Sequence, residues 1–176
     1  FIETSTENGI VCKDFINGVV ARGRNIAHEM VCVIDGANGL ATGIKAALGK
    51  KAIIQRCQWH KRENVIAYLP KKLQSKFRSK LQAAYEQPTY AKARLQTIRK
   101  ELTLLNESAV ASLDEGLEDT LTLHKLGLYK ELSTSFKTTN CIENINRQIQ
   151  RTTGRVCRWQ NSDQRRRWIA CAVLEL

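Results

Sequence analysis

Apolar positions recur first at mixed strand and helix periods and then, after Trp59, almost wholly at helical ones. Val11, Phe15 and Val19 fall four apart between Asn8, a good capping residue, and Gly23, which predicts a helix from Asn8 to about Arg22. Met30 to Ile34 (M-V-C-V-I) is a short unbroken apolar run ending in Asp-Gly, the mark of a buried strand. Asn38 to Leu48 reads as a second helix closed by Gly49, and Ala52 to Cys57 as a second strand. The α-β-α-β order predicts an α/β sheet.

Helical periods then take over. Leu73, Phe77, Leu81 and Tyr85 mark one amphipathic helix. Ala91, Leu95, Ile98, Leu102 and Leu105 mark another, opened near Pro88. Val110, Leu113, Leu117, Leu121 and His124 mark a third, running to Gly127. A polar stretch, S-T-S-F-K-T-T-N, leads into a helix from about Cys141 to Arg151, and a last helix is expected over Asp163 to Leu176. The division that follows is 1–58 for a first α/β part, 59–132 for an inserted helical subdomain and 133–176 for a closing part. The chain opens on Phe1 and its last helix reaches Leu176 uncapped, so it is expected to belong to a longer protein.

Charge adds a partner to this picture. Lys and Arg total 28 against 17 Asp and Glu, a formal net charge of +11. Residues 50–100 carry 14 basic and 2 acidic side chains, residues 101–131 carry 2 and 7, and residues 132–176 carry 8 and 3. Excess of that sign usually faces a polyanion, most often nucleic acid, although a solvated Lys/Arg face is the alternative for any one cluster. Apolar runs stop far short of the ~20 residues that span a bilayer, so no membrane association is expected. The six cysteines show no Cys-x-x-Cys pair, and no secretory leader precedes them. They fit a reducing, cytoplasmic setting as small buried hydrophobes.

Several residues are candidates for chemistry. Asp35 falls at the carboxyl end of a strand, where ligands bind in α/β sheets, and its carboxylate suits a divalent metal; the alternative is an Asp-Gly turn bonded to its own backbone. Glu143 sits in the first turn of its helix three residues after Asn140, a capping arrangement. Arg147 and Arg151 follow Glu143 at four-residue steps, a face that suits a metal and adjacent phosphates or, more simply, ordinary ion pairs. Cys57 and His60 form a Cys-x-x-His pair without a second half at zinc-site spacing, so packing at a strand-to-helix junction is the main reading. Arg56, Lys61 and Arg62 beside it, Lys72 and Lys76 with Lys71, Arg78 and Lys80 on one helix, and Arg165 and Arg166 with Arg167 on the last are expected phosphate contacts. Trp59, Trp159 and Trp168 suit base stacking or burial. No Walker, Rossmann or G-x-S-x-G motif occurs.

Three strings, V-I-D-G-A-N-G-L at 33–40, Q-R-C-Q-W-H-K-R-E-N at 55–64 and T-T-N-C-I-E-N-I-N-R at 138–147, resemble the Mutator-type transposases of bacterial insertion sequences in content, order and separation. The resemblance runs from about residue 10 to the end. It implies an RNase H-like core, N-terminally truncated here with its first strands missing and interrupted by an all-α insertion. It also implies an Asp-Asp-Glu catalytic set, in which Asp35 corresponds to the second Asp and Glu143 to the Glu. The first Asp would lie on a strand upstream, and Asp14, read as helical, is a poor substitute. Cys57 and His60 match the family's Cys-x-x-His signature, with a structural or DNA-proximal role.

The chemistry so implied is metal-dependent cleavage and strand transfer of insertion-sequence ends during DNA transposition. Two Mg²⁺ (or Mn²⁺) ions would be held by the three carboxylates, because Mg²⁺ prefers hard oxygen ligands. The partners would be double-stranded DNA, as element ends and target, and further copies of the protein assembled on DNA. A chain short of one carboxylate is expected to bind metal poorly and cut no DNA by itself. The alternatives are a non-enzymatic basic DNA-binding module derived from a transposable element and an RNase H-like nuclease that does not transpose.

Overall fold

A computed structural model gives the structure of the protein, which is described over residues 8–176. It divides into two compact units, the larger over Thr6–Thr138 and the smaller built on Thr139–Leu176. In the larger unit α1 (Gly9–Ala21) starts where Asn8 accepts the amides of Ile10 and Val11 at 3.0 and 3.1 Å. Strand β1 (Met30–Ile34), α2 (Asn38–Leu48) and β2 (Ala52–Arg56) follow, in the order that the apolar pattern predicts. The strands pair in parallel, with Met30 opposite Ala52 and Ile34 opposite Arg56. Ile34, Ile44, Leu48 and Ile54 form the core under this sheet, with Ile16, Met30 and Leu40 packed around it.

The two edges of the sheet are treated differently. Along β2, Thr122 donates its hydroxyl to the Ile54 carbonyl at 2.6 Å, and Gln55, fully buried, donates to the Thr120 carbonyl at 3.0 Å and accepts from the Leu123 amide at 3.0 Å. Side chains and helical backbone thus cap that edge, which would otherwise expose unpaired donors and acceptors. β1 pairs with no strand other than β2 among the described residues.

The helical part packs around a second core. α3 (Gln58–Ala67), α4 (Lys71–Tyr85), α5 (Ala91–Thr103) and α6 (Glu107–Asp114) bury Val65, Ile66, Phe77, Leu81, Leu95, Leu102 and Leu113 against one another. The third amphipathic run is not one helix. It breaks after α6 into two single turns, α7 (Leu117–Thr120) and α8 (Thr122–Lys125), because Gly116 adopts φ +68°, which a continuing helix cannot contain. Two further helices lie where the apolar pattern gave no signal. One is α3, whose inward face carries Gln58 and Lys61 as well as Val65; the other is α9 (Tyr129–Phe136), where only Tyr129 is buried.

The smaller unit is a helix pair, α10 (Asn140–Thr153) and α11 (Ser162–Leu174), joined by a short loop. Asn161 caps α11 by accepting the Gln164 amide at 2.8 Å. α10 buries none of its residues, and Ile142 and Ile145 on it are exposed.

Candidate active site

Parallel pairing carries two of the motifs to one edge. Ile34 and Arg56 are opposite one another at the ends of β1 and β2, and the Cys57 amide extends the ladder by donating to the Ile34 carbonyl at 2.7 Å. Asp35 and Cys57 therefore both leave the sheet at its carboxyl end, where loops converge. Asp35 is exposed, and its Oδ1 accepts the Ala37 amide at 3.0 Å. The Asx turn weighed in the sequence is therefore present, and it engages one oxygen of the carboxylate. Gly36 supports this turn with φ +111°.

Beside the turn lies a cavity of about 300 Å³, lined by Gly36, Asn38, Thr42, Lys45, Arg56 and Asp119. Arg56 forms its inner wall. Its Nη1 and Nη2 donate to the two carboxylate oxygens of Glu115 at 2.9 and 3.1 Å, and Nη2 also reaches the Gly36 carbonyl at 3.3 Å. Lys61 completes the cluster, donating to the Ser112 carbonyl at 2.7 Å, to the Glu115 carbonyl at 2.5 Å and to Glu115 Oε2 at 2.9 Å. Burial pushes the Lys61 ammonium down from its ordinary value, while hydrogen bonds from Arg56 and then Lys61 hold the Glu115 carboxyl below the usual glutamate value.

In the smaller unit, Glu143 lies in the first turn of α10. Its carboxylate accepts the hydroxyl of Thr139, the residue at the helix start, so the partner is Thr139 and not the expected Asn140, which is already helical. Arg147 and Arg151 are exposed further along α10. Asn146, Gln150, Trp159 and Arg165 line a cavity of about 390 Å³ between α10 and α11. Glu143 and Asp35 fall in different units. Among the described residues no group of three or more His, Cys, Asp or Glu side chains is placed to hold a metal.

A sequence profile described as Transposase, Mutator family, matches residues 2–175. The chain belongs to the Mutator family of transposases. Comparison with curated proteins and with solved structures returned no match.

In this transposase the signature pair Cys57 and His60 is a local contact. Cys57 is fully buried at the start of α3, His60 Nδ1 lies 3.3 Å from its sulfur, and the His60 and Trp59 rings pack nearly perpendicular at 4.8 Å. Arg56 and Lys61, expected as phosphate contacts, are turned into the protein. The two residues are 8% and 1% exposed, and both are engaged by Glu115. Arg62 is likewise turned inward, to Glu63 at 2.9 Å and Gln82 at 2.5 Å. On α4, Arg78 pairs with Glu63 and Lys80 with Glu101, whereas Lys71, Lys72 and Lys76 are exposed. Arg166 is exposed on α11 near Asp163, and Trp59 and Trp168 are exposed, not buried.

Glu115 and Gly116 are the residues that the apolar pattern missed. The signal was present in the string L-D-E-G at 113–116, where a glycine follows an acidic pair inside a helical run. It was masked because Leu113, Leu117 and Leu121 keep a four-residue period across the break.

Proposed function

We propose that this Mutator-family chain is the catalytic part of a DNA transposase that cleaves and joins insertion-sequence ends by metal-assisted phosphoryl transfer. The observation that carries the reading is the family match over residues 2–175, with Asp35 exposed at the carboxyl end of a half-buried parallel strand. In this reading the sheet of β1 and β2 is part of an RNase H-like core, the helices over 59–132 are its insertion, and 133–176 closes the core.

Asp35 and Glu143 are the carboxylates assigned to the metal. The donor chemistry fits. Both are hard oxygen ligands at the end of a strand and in the first turn of a helix, and Asp35 keeps its turn through one oxygen only. Mg²⁺ or Mn²⁺, when bound as a pair, supplies charge for the attacking and leaving oxygens of an in-line displacement. The protein's own part is to hold Asp35 fixed through the Ala37 amide, and Glu143 through the Thr139 hydroxyl, so that neither carboxylate must be ordered during reaction. Exposed Lys71, Lys72 and Lys76, with Arg147, Arg151 and Arg166, are assigned to the DNA backbone, which fixes register without reading sequence. Assembly of further copies on paired DNA ends belongs to the same proposal.

The test is substitution in the complete transposase. Asp35→Ala and Glu143→Ala are each expected to abolish transposition while DNA binding persists in a mobility-shift assay. Transposition by both variants at the wild-type frequency would end the catalytic assignment.

A further inference from the structure

We infer that Arg56 is a positioning residue for Asp35, and that Glu115, supplied by the helical segment, holds Arg56 to that role. The inference rests on the assignment of Asp35 above.

The guanidinium of Arg56 is enclosed between two glycine backbones. A Cβ on Gly36 would come within 2.3 Å of its Nε and 2.6 Å of its Nη2, and a Cβ on Gly116 within 2.2 Å of its Nη1. Both glycines also have φ in the left-handed half, +111° and +68°. Space and backbone conformation therefore each require glycine at the two positions. One of them directly follows Asp35, and the other directly follows Glu115.

Hydrogen bonds complete the coupling. Arg56 Nη2 donates to the Gly36 carbonyl at 3.3 Å, and one residue further the Ala37 amide donates to Asp35 Oδ1 at 3.0 Å. The peptide after Asp35 is thus held from its carbonyl side by Arg56 and from its amide side by the carboxylate itself. Arg56 is in turn fixed by both oxygens of Glu115 and by the Glu115 carbonyl at 3.3 Å. Its Nε is buried without a hydrogen-bond partner among the described residues. A planar fork can bond Glu115 and Gly36 together; a lysine ammonium, a single point of charge, cannot reproduce both directions.

The experiment compares Arg56→Lys and Glu115→Gln with the wild-type chain, after circular dichroism has established folding. The readout is amide hydrogen exchange at Gly36 and Ala37. Loss of one ordinary hydrogen bond should speed exchange there by about tenfold, with α4 and α5 amides unaffected. In the full-length protein Arg56→Lys should raise the half-saturating Mg²⁺ concentration for cleavage and leave DNA affinity unchanged. If Arg56→Lys does not fold, Glu115→Gln decides, since it keeps the shape of Glu115 but replaces one of the two oxygens that hold the Arg56 guanidinium with an amide that cannot accept. Unchanged exchange at Gly36 and Ala37 in a folded variant would overturn the inference. Full transposition by Asp35→Ala would instead remove the assignment beneath it, whatever the exchange shows.

Discussion

Glu115→Ala is the substitution whose consequence can be worked furthest from the structure. It removes the carboxylate that Arg56 and Lys61 share and leaves two cations that are 8% and 1% exposed. Breaking a buried ion pair by deleting one partner costs about 3–5 kcal/mol in general. Two features reduce that figure here. The Glu115 side chain is itself 54% exposed, so its Coulombic share is screened by solvent. Lys61 also keeps the Ser112 and Glu115 carbonyls, and Arg56 keeps the Glu115 and Gly36 carbonyls. What is lost is three charged hydrogen bonds whose donors retain other acceptors, so the expected cost is about 2–3 kcal/mol.

For a chain of this size that lowers the melting temperature by roughly 4–12 °C, measurable by calorimetry or circular dichroism. Acid dependence supplies a second signature. Hydrogen bonds from Arg56 and then Lys61 hold the folded-state pKa of Glu115 below the ordinary 4.5. The stabilisation is therefore complete above 4.5 and is lost as pH falls through the lowered folded value. Glu115→Ala should flatten that acid limb as well as lower the plateau. Replacing the buried cation too, in Lys61→Met with Glu115→Ala, should recover part of the loss, because an apolar side chain of similar length carries no uncompensated charge. A single variant within about 0.5 kcal/mol of wild type would refute the claim that this cluster is a supporting element of the fold.

Two other outcomes are expected. His124 is half-buried, stacked on Tyr129 at 4.0 Å, and burial lowers its pKa from the ordinary 6.5. Its contribution is present above 6.5 and is lost as pH falls through the lowered folded value, so urea unfolding of His124→Phe should show a weaker loss of stability from neutral pH into that range. Replacing Lys71, Lys72 and Lys76 together by Gln should weaken DNA binding without change of sequence preference. It should also reduce the slope of log affinity against log salt by about 0.9 for each phosphate contact removed. An unchanged salt slope would take α4 out of the DNA interface.

Local signals were legible where they agreed with the packing. Asn8 caps α1, Gly49 closes α2, and M-V-C-V-I and the stretch from Ala52 form the paired strands. α3 was not legible, since its inward face uses Gln58 and Lys61, and polar groups erase an apolar period even when their hydrogen bonds are satisfied in the interior. The break at Gly116 was hidden by leucines that hold their spacing across it. Asp35 was singled out by its place after an apolar run, and it does lie at the carboxyl end of β1, in an Asx turn. The residues that brace it come from Arg56 and Glu115, which lie 59 positions apart, and no local pattern contains that pairing.

The charge pattern illustrates the same physics with a functional consequence. Along the chain, a strongly basic stretch at 50–100 is followed by an acidic one at 101–131, which invites a picture of a large positive surface. In the folded unit the second stretch lies back on the first. Glu115 takes Arg56 and Lys61, Glu101 takes Lys80, Asp114 takes Arg99, and Glu118 takes Lys92. Cations engaged in this way contribute little to a field at DNA distance, because each is offset within a few ångströms and the remainder is screened. In the proposed function the exposed lysines of α4 are the ones assigned to the polyanion, while Arg56, Lys61 and Glu115 pair beside the carboxyl end of the sheet, where Asp35 follows β1. Mutations in the two sets should therefore separate, with loss of exposed lysines appearing in DNA affinity and loss of the paired residues appearing in stability and in the geometry of the Asp35 turn.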